Sequence, residues 1–552
     1  MSHFRPITEL ETHTVSNQPE PLEGVNFYAT DAALRDSMRA ADAETHSARL
    51  TEFGRACGSA ETLMWARQAN ENPPKLKSFD RYGQRLDEVE FHPAYHALMA
   101  LGLNNGVSGS AWTADVAGHA LHGAMMILMG QADAGVTCPM SMTYACAASL
   151  RADPEIANTW LPLIKAQSYD PRFIPAENKT GATIGMAMTE KQGGSDVRAN
   201  TTQAEPDGSG GYVLTGHKWF CSAPMSDAFL TLANTGAGLT CFLVPRWRPD
   251  GERNAIHIMR LKDKMGDKSN ASSEIEYHGA WAHRLGEEGR GVRTIIDMVQ
   301  LTRYDCMLGS TGGMRAAVAQ ALWHASQRRV FQKALVDQPA MRAVLADLIV
   351  ESEAATALAL RVGSALDRAA DDAQEAAFVR LATPIAKYWI CKRQPGLVYE
   401  ALECHGGAGY VEEGPMPRLF RQSPLNAIWE GSGNVIALDI LRALSREPES
   451  LEAVMNELKK PRGADAAYDR HCDQLRAYLA PGALHDGSAR SFAQAMALAL
   501  QAAALHRAAP GFVFEAFCRL RLDPGRRGFL YGGYADGVDE AALIERSTPR
   551  TA

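Results

Sequence analysis

The spacing of hydrophobic residues divides the chain into regions that differ in predicted secondary structure. The first 27 residues contain few periodic hydrophobic positions and include Pro6, Pro19 and Pro21, so they are predicted to form an irregular arm. Helical spacing begins after Thr30, a predicted N-cap residue, and continues to about residue 180. The chain is therefore predicted to start with an arm and a helical domain.

Between about residues 183 and 285 the pattern changes to short runs rich in β-branched and aromatic residues. These runs read GYVLTG, AFLTLA, LTCFLVPR and SEIEYHG, and Gly, Asp, Asn and Pro turns separate them. Runs of this length between such turns are typical of antiparallel strands. This region is predicted to be an antiparallel all-β module.

Long helices return after about residue 286 and are predicted at residues 312–336, 341–371 and 373–406. Helices of this length pack most simply as a bundle. The run SFAQAMALALQAAALHRAA predicts one more strong helix, which Pro510 and Gly511 end. The predicted domains are residues 1–182, 183–285, 286–445 and 446–552, and the fold class is α+β, mainly α.

Composition and charge narrow the functional classes. A chain of 552 residues exceeds what one hydrophobic core usually holds, so about two to four domains are expected. The net charge of −8 argues against a protein that is basic throughout, so any polyanion would have to bind locally. No apolar run approaches the roughly 18 residues needed to span a bilayer, and the N-terminus has no hydrophobic signal core. A cytoplasmic protein with no membrane partner is expected.

The cysteines also favour a cytoplasmic protein. There are ten, scattered without a CxxC pair, which predicts reduced thiols and neither a disulfide framework nor a zinc site. Packing is the expected role of Cys138, Cys146, Cys306 and Cys404, which lie in apolar surroundings. The sequence displays no metal-ligand constellation and no nucleophilic triad, which disfavours base removal and dioxygenase chemistry.

The C-terminal tail is the relatively basic part of the chain. Past residue 439 it carries 15 Lys and Arg against 14 Asp and Glu. The side chains that are candidates to meet DNA phosphates are Arg442, Lys459, Lys460, Arg462, Arg519, Arg521, Arg526 and Arg527. A solvated helical face is the alternative interpretation of these residues.

Residues 188–197, reading MTEKQGGSDV, form a candidate binding loop. Adjacent glycines let backbone N–H groups approach a ligand closely, and the small hydroxyls add donors that suit a pyrophosphate or the edge of a flavin. An ordinary polar surface turn is the alternative. A second motif, IWEGSGN at residues 428–434, favours the cofactor interpretation.

The order of these regions and motifs resembles the acyl-CoA dehydrogenase superfamily over about residues 90–445. The segments FHPAYHAL, GHKWFCSAPMSDA and RLKDKMGDKSNASSE, together with the C-terminal extension, are similar to its AidB-type branch, flavoproteins of the bacterial adaptive response to DNA alkylation. The resemblance implies an acyl-CoA dehydrogenase fold: a helical domain, a middle β-barrel or sandwich, a four-helix bundle and here an extra C-terminal helical domain. It also implies FAD.

The resemblance assigns FAD contacts in each part of the chain. On the β module they are Met188, Thr189, Gly194, Ser195, Phe220, Cys221 and Ser222. On the helices they are Arg328, Phe331 and Gln338, which would hold the FAD of a neighbouring subunit, and Gly406, Gly407, Trp429, Gly431, Ser432 and Asn434. A site shared between chains implies a homo-oligomer, expected to be a homotetramer.

Glu430 is the predicted catalytic base. In the family this Glu removes the α-proton of an acyl thioester while a hydride leaves the β-carbon. Locally, Ile428 and Trp429 would raise the carboxyl pKa, and Gly431 would free the backbone to present it. A Glu that answers a helix dipole is the alternative. Arg303 matches a family Arg near the acyl pocket, and a helix-surface ion pair is its alternative.

The chain departs from the common family pattern at three positions. It has Trp429 in place of Tyr, Phe220 in place of Trp and Glu403 in place of Gln. A bulkier aromatic beside the base is expected to narrow the acyl pocket, and the N-terminal arm is expected to lie over its entrance. These changes put efficient turnover of standard acyl-CoAs in doubt.

Two functional hypotheses follow. In the first, the protein is an FAD-dependent dehydrogenase whose Glu430 abstracts a proton from a small or branched acyl substrate. In the second, it is a flavoprotein with little turnover that binds and protects double-stranded DNA through residues 446–552.

Overall fold

The computed structural model describes residues 6–526, 530–533 and 536–550, with only the backbone of Arg526. The helices, in chain order, are α1 (Ala32–Ala40), α2 (Ser47–Cys57), α3 (Ala60–Glu71), α4 (Pro93–Asn104), α5 (Ser110–Thr113), α6 (Gly118–Ala132), α7 (Ala134–Leu150), α8 (Pro154–Lys165), α9 (Gly291–Gln327), α10 (Pro339–Arg368), α11 (Ala373–Glu403), α12 (Met416–Gln422), α13 (Gly433–Arg446), α14 (Pro448–Lys459), α15 (Ala466–Tyr478), α16 (Ala489–Ala508), α17 (Gly511–Phe517) and α18 (Glu540–Ser547).

The strands are β1 (Lys75–Phe79), β2 (Arg85–Glu90), β3 (Ile184–Ala187), β4 (Gln203–Pro206), β5 (Tyr212–Ser222), β6 (Ala228–Thr235), β7 (Gly238–Pro245), β8 (Ile256–Leu261), β9 (Ser272–Leu285), β10 (Arg329–Val330) and β11 (Lys333–Ala334). Helices dominate on both sides of a β-rich middle. The predicted fold class, α+β and mainly α, is confirmed.

The N-terminal region is mainly helical, but the structure corrects two of the predictions made for it. The N-cap of α1 is Asp31, whose carboxylate accepts a hydrogen bond from Leu34 N at 3.0 Å. Thr30, the predicted cap, instead donates to the Asn26 carbonyl at 2.9 Å. The region is also not helical throughout, because β1 and β2 pair as an antiparallel hairpin. Their charged, alternating sequences carry a period of two that the helical interpretation overlooked.

Helices α6 and α7 form the buried centre of this region. The side chains of α6 are almost all buried, and α7 packs on α9 and on β3. Asp133 ends α6 and caps α7, since its carboxylate accepts from Val136 N at 3.0 Å. This sharp junction directs the start of α7, with Cys138, towards the β module.

The β module closes into a barrel. Its strand order is β3-β6-β4-β5-β9-β7, β6 also pairs with β7, and β8 lies on β9. Most pairs are antiparallel, as predicted, but β6 pairs in parallel with β3 and β4. The all-antiparallel prediction is therefore wrong at these two pairs. The alternation of β5 leaves one of its faces in the core and the other partly exposed.

Three long helices, α9, α10 and α11, form the bundle, and α6 and α16 pack against them. The predicted helix at 312–336 differs at both ends, because α9 runs from Gly291 to Gln327. The chain then turns back in the β10-β11 hairpin, where Phe331 and Gln332 adopt positive φ angles of 48° and 67°. The prediction extended the helix past this turn because it relied on the spacing of apolar residues alone.

The described part of the C-terminal tail contains helices α14 to α18, and α16 is largely buried against α10, α11 and α13. Within the described ranges, no helix is long and apolar enough to cross a membrane. All ten cysteines are free thiols, and all but Cys138 are buried.

Candidate active site

The loop at residues 188–197 is anchored from inside by a buried ion pair. The carboxylate of Glu190 accepts hydrogen bonds from Lys218 Nζ at 2.9 Å, Thr202 Oγ1 at 2.7 Å and Thr201 N at 2.7 Å. Burial opposes ionisation, but the Thr201 hydrogen bond and the Lys218 charge hold the pKa of Glu190 below its usual range. The pair fixes the loop's base and leaves its tip in solvent.

The predicted ligand-binding residues of this loop divide between its base and its tip. Met188 and Thr189 are half-buried, whereas Gly194 and Ser195 are exposed. A Cβ at Gly194 would lie 2.5 Å from Thr189 Oγ1, so the loop needs glycine at this position. A Cβ at Gly193 would meet nothing within 4 Å. The tip is thus an open surface of backbone and hydroxyl groups next to β5.

Strand β5 supplies an aromatic face beside the loop. Phe220 is 55% exposed, and Lys262 Nζ lies 3.2 Å from the ring centroid of Trp219 and 4.6 Å from that of Phe220. Ser222 is half-buried, and its hydroxyl lies 3.0 Å from Ser272 Oγ.

Cys221 points to the other side of β5 and is fully buried. Cys221 was predicted among the cofactor contacts, but its side chain faces away from the surface of Phe220 and Ser222, because successive residues of a strand face opposite ways. Its carbonyl accepts a hydrogen bond from Ser273 Oγ at 3.0 Å.

Cys138 connects the β5 face to the catalytic motif. Its thiol hydrogen-bonds to Ser222 and is close enough to Glu430 to interact with its charge. Burial is the main cause that raises the pKa of Cys138 to about 12, so this thiol is neutral. Ser222 and Glu430 therefore line the same site although more than 200 residues separate them in the chain.

Glu430 lies in the turn before α13, and its side chain points into the protein interior. Thr302 Oγ1, on α9, donates to Glu430 Oε2 at 2.8 Å. Burial raises the pKa of this carboxyl above its ordinary value, while the hydrogen bond from Thr302 and the charges of Arg303 and Lys387 oppose the rise. A carboxylate tuned upwards in this way is a stronger proton acceptor.

The surroundings of Glu430 differ from the predicted ones. Ile428 is 62% exposed, so it does not desolvate the carboxyl. Trp429 is half-buried, and its indole N–H donates to Asn426 Oδ1 at 2.8 Å. Gly431 adopts φ 98°, and a Cβ there would lie 2.8 Å from Ile436 Cδ1. Gly431 therefore provides a tight turn and not free movement.

Two buried cations hold the backbone of the catalytic turn. Lys387 Nζ donates to the carbonyls of Trp429 at 2.8 Å and Gly431 at 2.6 Å. Arg303 Nε donates to the Glu430 carbonyl at 3.2 Å, and its Nη1 pairs with Asp439 at 2.8 Å. The ion pair of Arg303 is buried, so the alternative of a helix-surface pair does not apply.

Sequence reasoning missed Thr302, Lys387 and Asp439 and assigned only packing to Cys138. The one usable signal was Lys387, a lysine inside the apolar run ATPIAKYWIC of α11. Its contacts with the catalytic turn required the fold.

The remaining predicted residues near the turn are accessible. Ser432 and Asn434 are exposed at the start of α13. Asn434 Oδ1 accepts from Arg490 Nη1 at 3.3 Å, which ties this start to α16.

Arg328, Phe331, Gln338, Gly406 and Gly407 form a second group at the other end of α9. With a rise of about 1.5 Å per residue, the last residue of α9 lies roughly 36 Å along its axis from Arg303. Phe331 is 92% exposed, and Gln338 Nε2 donates to the Val330 carbonyl at 3.1 Å. Both glycines are exposed, with open space where a Cβ would be. We call these residues the distal group.

His405 connects Gly406 and Gly407 to this end of the helix, because its ring lies 4.6 Å from that of His324. The distal group cannot complete the Glu430 site of the same chain at this separation.

The N-terminal arm lies on the distal end of α9. Asn17 accepts from Arg328 and from Arg329 N, Glu20 N donates to Gln327 Oε1 at 3.0 Å, and Trp323 Nε1 donates to the Glu20 carbonyl at 2.7 Å. These hydrogen bonds place the described arm beside the distal group. The contacts of Asn17 and Glu20 thus lie away from the Glu430 pocket, whose entrance the arm was expected to cover.

Most basic candidates of the tail have acceptors within the chain. The contacts are Arg442 with Asp439 at 3.2 Å, Lys459 with Asn456 at 2.8 Å, Lys460 with Glu457 at 2.7 Å, Arg462 with Asp473 at 2.9 Å and Arg519 with the Asp536 carbonyl at 2.7 Å.

Arg521 is paired with Asp347 at 2.5 Å and Glu351 at 2.9 Å and is largely buried, which corrects its prediction as a DNA contact. The side chain of Arg526 and all of Arg527 lie outside the described residues.

Comparison with known proteins identifies similar chains along most of the sequence. The family described as "Adaptive response protein AidB N-terminal domain" matches residues 17–171. Two others, "Acyl-CoA dehydrogenase, middle domain" and "Acyl-CoA dehydrogenase, C-terminal domain", match residues 185–280 and 289–445.

Individual relatives agree. The chain is 44% identical to the AidB protein of Escherichia coli over 516 residues, 93% of this chain and 95% of that protein. It is 31% identical to acyl-CoA dehydrogenase family member 11 of Caenorhabditis elegans over 78% of this chain and 72% of that protein. The crystal structure of C. elegans ACDH-11 in complex with C11-CoA has a TM-score of 0.85 at 26% identity, covering 99% of this chain and 98% of that one.

Proposed function

Because the chain belongs to the acyl-CoA dehydrogenase family and to its AidB branch, we propose that it is an FAD-dependent oxidoreductase acting on an acyl thioester. The reaction removes a proton from the α-carbon and a hydride from the β-carbon and leaves an α,β-double bond. The observation that carries this proposal is Glu430, a half-buried carboxylate with a raised pKa that faces the same site as the β5 surface.

The residues present fit a flavin. The exposed backbone of Gly194 and Ser195 offers donors for a pyrophosphate, and Phe220 and Ser222 provide an apolar face with a hydroxyl at its edge. Met188 and Thr189 line the base of this surface. When bound there, FAD supplies the acceptor for the hydride that leaves the β-carbon.

The chain's own residues manage the proton. Glu430 takes the α-proton, and the hydroxyl of Thr302 keeps the accepting carboxylate oriented through the 2.8 Å hydrogen bond. Arg303 donates to the backbone carbonyl of Glu430, which positions the base, and its charge favours the ionised form of the carboxylate. The neutral thiol of Cys138 adds no competing charge.

The distal group supports a cofactor site shared between subunits. In this proposal, Arg328, Phe331, Gln338 and the two glycines hold the FAD whose reacting end lies at Glu430 of a second copy. A homo-oligomer, proposed to be a tetramer, is therefore required for full flavin binding.

The substrate class is proposed from the site and from similarity. An acyl-CoA thioester is the proposed substrate, and C11-CoA is the ligand named for the C. elegans ACDH-11 structure. Trp429 in place of the family's Tyr favours small or branched acyl groups over bulky ones.

The AidB similarity leads us to propose a role in the response to DNA alkylation. This role does not include DNA binding by the tail. Its described basic candidates are engaged in intramolecular contacts, and an engaged surface cation contributes less to phosphate binding than a free one.

A panel of acyl-CoA thioesters, mixed anaerobically with the flavin-loaded protein, tests the proposed reaction. At least one thioester should bleach the oxidised flavin spectrum, and Glu430→Gln should not be reduced by it. Glu449→Gln, an exposed glutamate on α14, is the matched control and should behave as wild type. Reduction of Glu430→Gln at the wild-type rate, or no reduction of wild type by the whole panel, would refute the proposal.

A further inference from the structure

Lys387 is a buried lysine in the middle of α11 with no obvious structural counterion. Its side chain is 1% exposed. Among the described residues, no carboxylate lies within 4.0 Å of its ammonium group, whereas the other fully buried lysine, Lys218, pairs with Glu190. A buried ammonium without a partner is unfavourable, so its position needs a compensating interaction.

The compensating contacts all belong to the catalytic turn. Lys387 Nζ donates to the Trp429 and Gly431 carbonyls, at 2.8 and 2.6 Å, and Arg303 Nε donates to the carbonyl between them. Three consecutive carbonyls thus face two cations from α9 and α11. Together they hold Glu430 at φ 55°, a left-handed conformation that non-glycine residues adopt only when the surroundings impose it.

The ionisable groups around the Glu430 carboxyl include few charges, and Lys387 is one of them. The ionisable groups that interact with Glu430 are Arg303 and Cys306 from α9, Lys387 from α11 and Cys138 from α7. Both thiols are neutral, and Arg303 pairs with Asp439 at 2.8 Å, a carboxylate that it shares with Arg442. Lys387 has no such carboxylate among the described residues, so its charge acts on Glu430 beside that of Arg303.

We propose that Lys387 is a positioning residue for the reaction: it fixes the backbone of the Glu430 turn and, together with Arg303, supplies positive charge that favours the ionised carboxylate. The inference rests on the proposed role of Glu430 as base. It extends that role, because it makes a residue on another helix responsible for the protonation state of the base.

The test is the pH dependence of anaerobic flavin reduction in single turnover, with the flavin-loaded protein and an acyl-CoA that reduces wild type. Lys387→Met removes the charge and all donors, so the midpoint of the acid limb should rise by about one pH unit. The reduction rate at pH 7 should fall several-fold while thioester affinity stays the same. Lys387→Arg keeps the charge and should keep the wild-type midpoint. Lys459→Met, an exposed lysine on α14, is the control for loss of a lysine charge.

An unchanged midpoint in Lys387→Met, with normal flavin content and circular dichroism, overturns the inference. If Lys387→Met yields no flavin-loaded protein, Lys387→Gln is measured, because its amide still donates to one carbonyl without the charge. The same upward shift supports the proposal, and an unshifted midpoint overturns it. Should Glu430→Gln itself be reduced normally, the proposed function fails. If Glu430→Gln is not reduced but the Lys387 variants keep the wild-type midpoint, Glu430 remains the proposed base and the role of Lys387 is overturned.

Discussion

The ion pair between Lys218 and Glu190 should control both the stability of the β module and its hold on flavin. Both side chains are fully buried, and their Nζ and Oε1 atoms are 2.9 Å apart. Lys218→Met leaves Glu190 as an uncompensated buried charge and frees the Leu232 carbonyl that Lys218 also contacts at 2.8 Å. Breaking a buried pair from one side costs about 3 to 5 kcal/mol. Because the hydrogen bonds from Thr201 and Thr202 to Glu190 remain, the cost in this variant should lie near the lower end of that range.

The pH dependence of the free energy of unfolding provides a second test of this ion pair. The folded-state pKa of Glu190 is depressed, so its contribution to stability is present above the unfolded value of about 4.3 and is lost as pH falls towards the folded value. In Lys218→Met the carboxyl loses its cation, its pKa rises, and protonation favours the folded form. The stability difference between wild type and variant should therefore narrow in acid.

Urea unfolding followed by circular dichroism, with flavin release measured in the same titration, is the assay. Lys191→Met, an exposed lysine in the same loop, is the matched control and should change the free energy of unfolding by less than about 0.5 kcal/mol. The double variant Lys218→Met with Glu190→Gln should be more stable than Lys218→Met alone, because no charge remains buried. A Lys218→Met protein with wild-type unfolding and flavin retention would refute this reasoning.

Three further predictions follow from single contacts. Thr302→Val removes a hydrogen bond to the Glu430 carboxylate worth about 1.5 kcal/mol, so the acid limb of flavin reduction should move up by about one pH unit, and an unmoved limb would contradict it. Gly194→Ala brings a methyl group within 2.5 Å of Thr189 Oγ1, so flavin affinity should fall about tenfold by fluorescence titration, and unchanged affinity would count against the loop as the binding surface. Asn17→Ala removes the two side-chain hydrogen bonds that join the arm to the backbone of Arg329, beside the distal group, and keeps the Asn17 carbonyl that accepts from Arg328. Flavin content after gel filtration should therefore fall, whereas equal content would exclude a contribution of these side-chain contacts.

The sequence predicted the elements whose pattern is local. The helices around residues 341–371 and 489–508 and the β-rich middle followed from periodicity, because one face of each is buried. The loop containing Gly194 and the turn containing Glu430 were predicted from short motifs that resemble a family. The family and the fold class are confirmed.

What the sequence did not predict depends on contacts between distant segments or on turns. The helix predicted to end near Val336 stops at Gln327 because Phe331 and Gln332 reverse the chain, and apolar spacing does not register such a reversal. Cys221 was assigned to the cofactor although a period of two puts it opposite Phe220. Lys387 reaches the catalytic turn from another helix, which no local pattern encodes.

The most direct test of Glu430 as the base is exchange of the α-hydrogen of an acyl-CoA with solvent. The flavin-loaded protein is incubated anaerobically in deuterium oxide with an acyl-CoA that binds, and deuterium uptake at the α-carbon is followed by mass spectrometry. Wild type should catalyse the exchange, and Glu430→Gln, with the same flavin content, should lower it to the rate without protein. Equal exchange by wild type and Glu430→Gln would contradict the assignment.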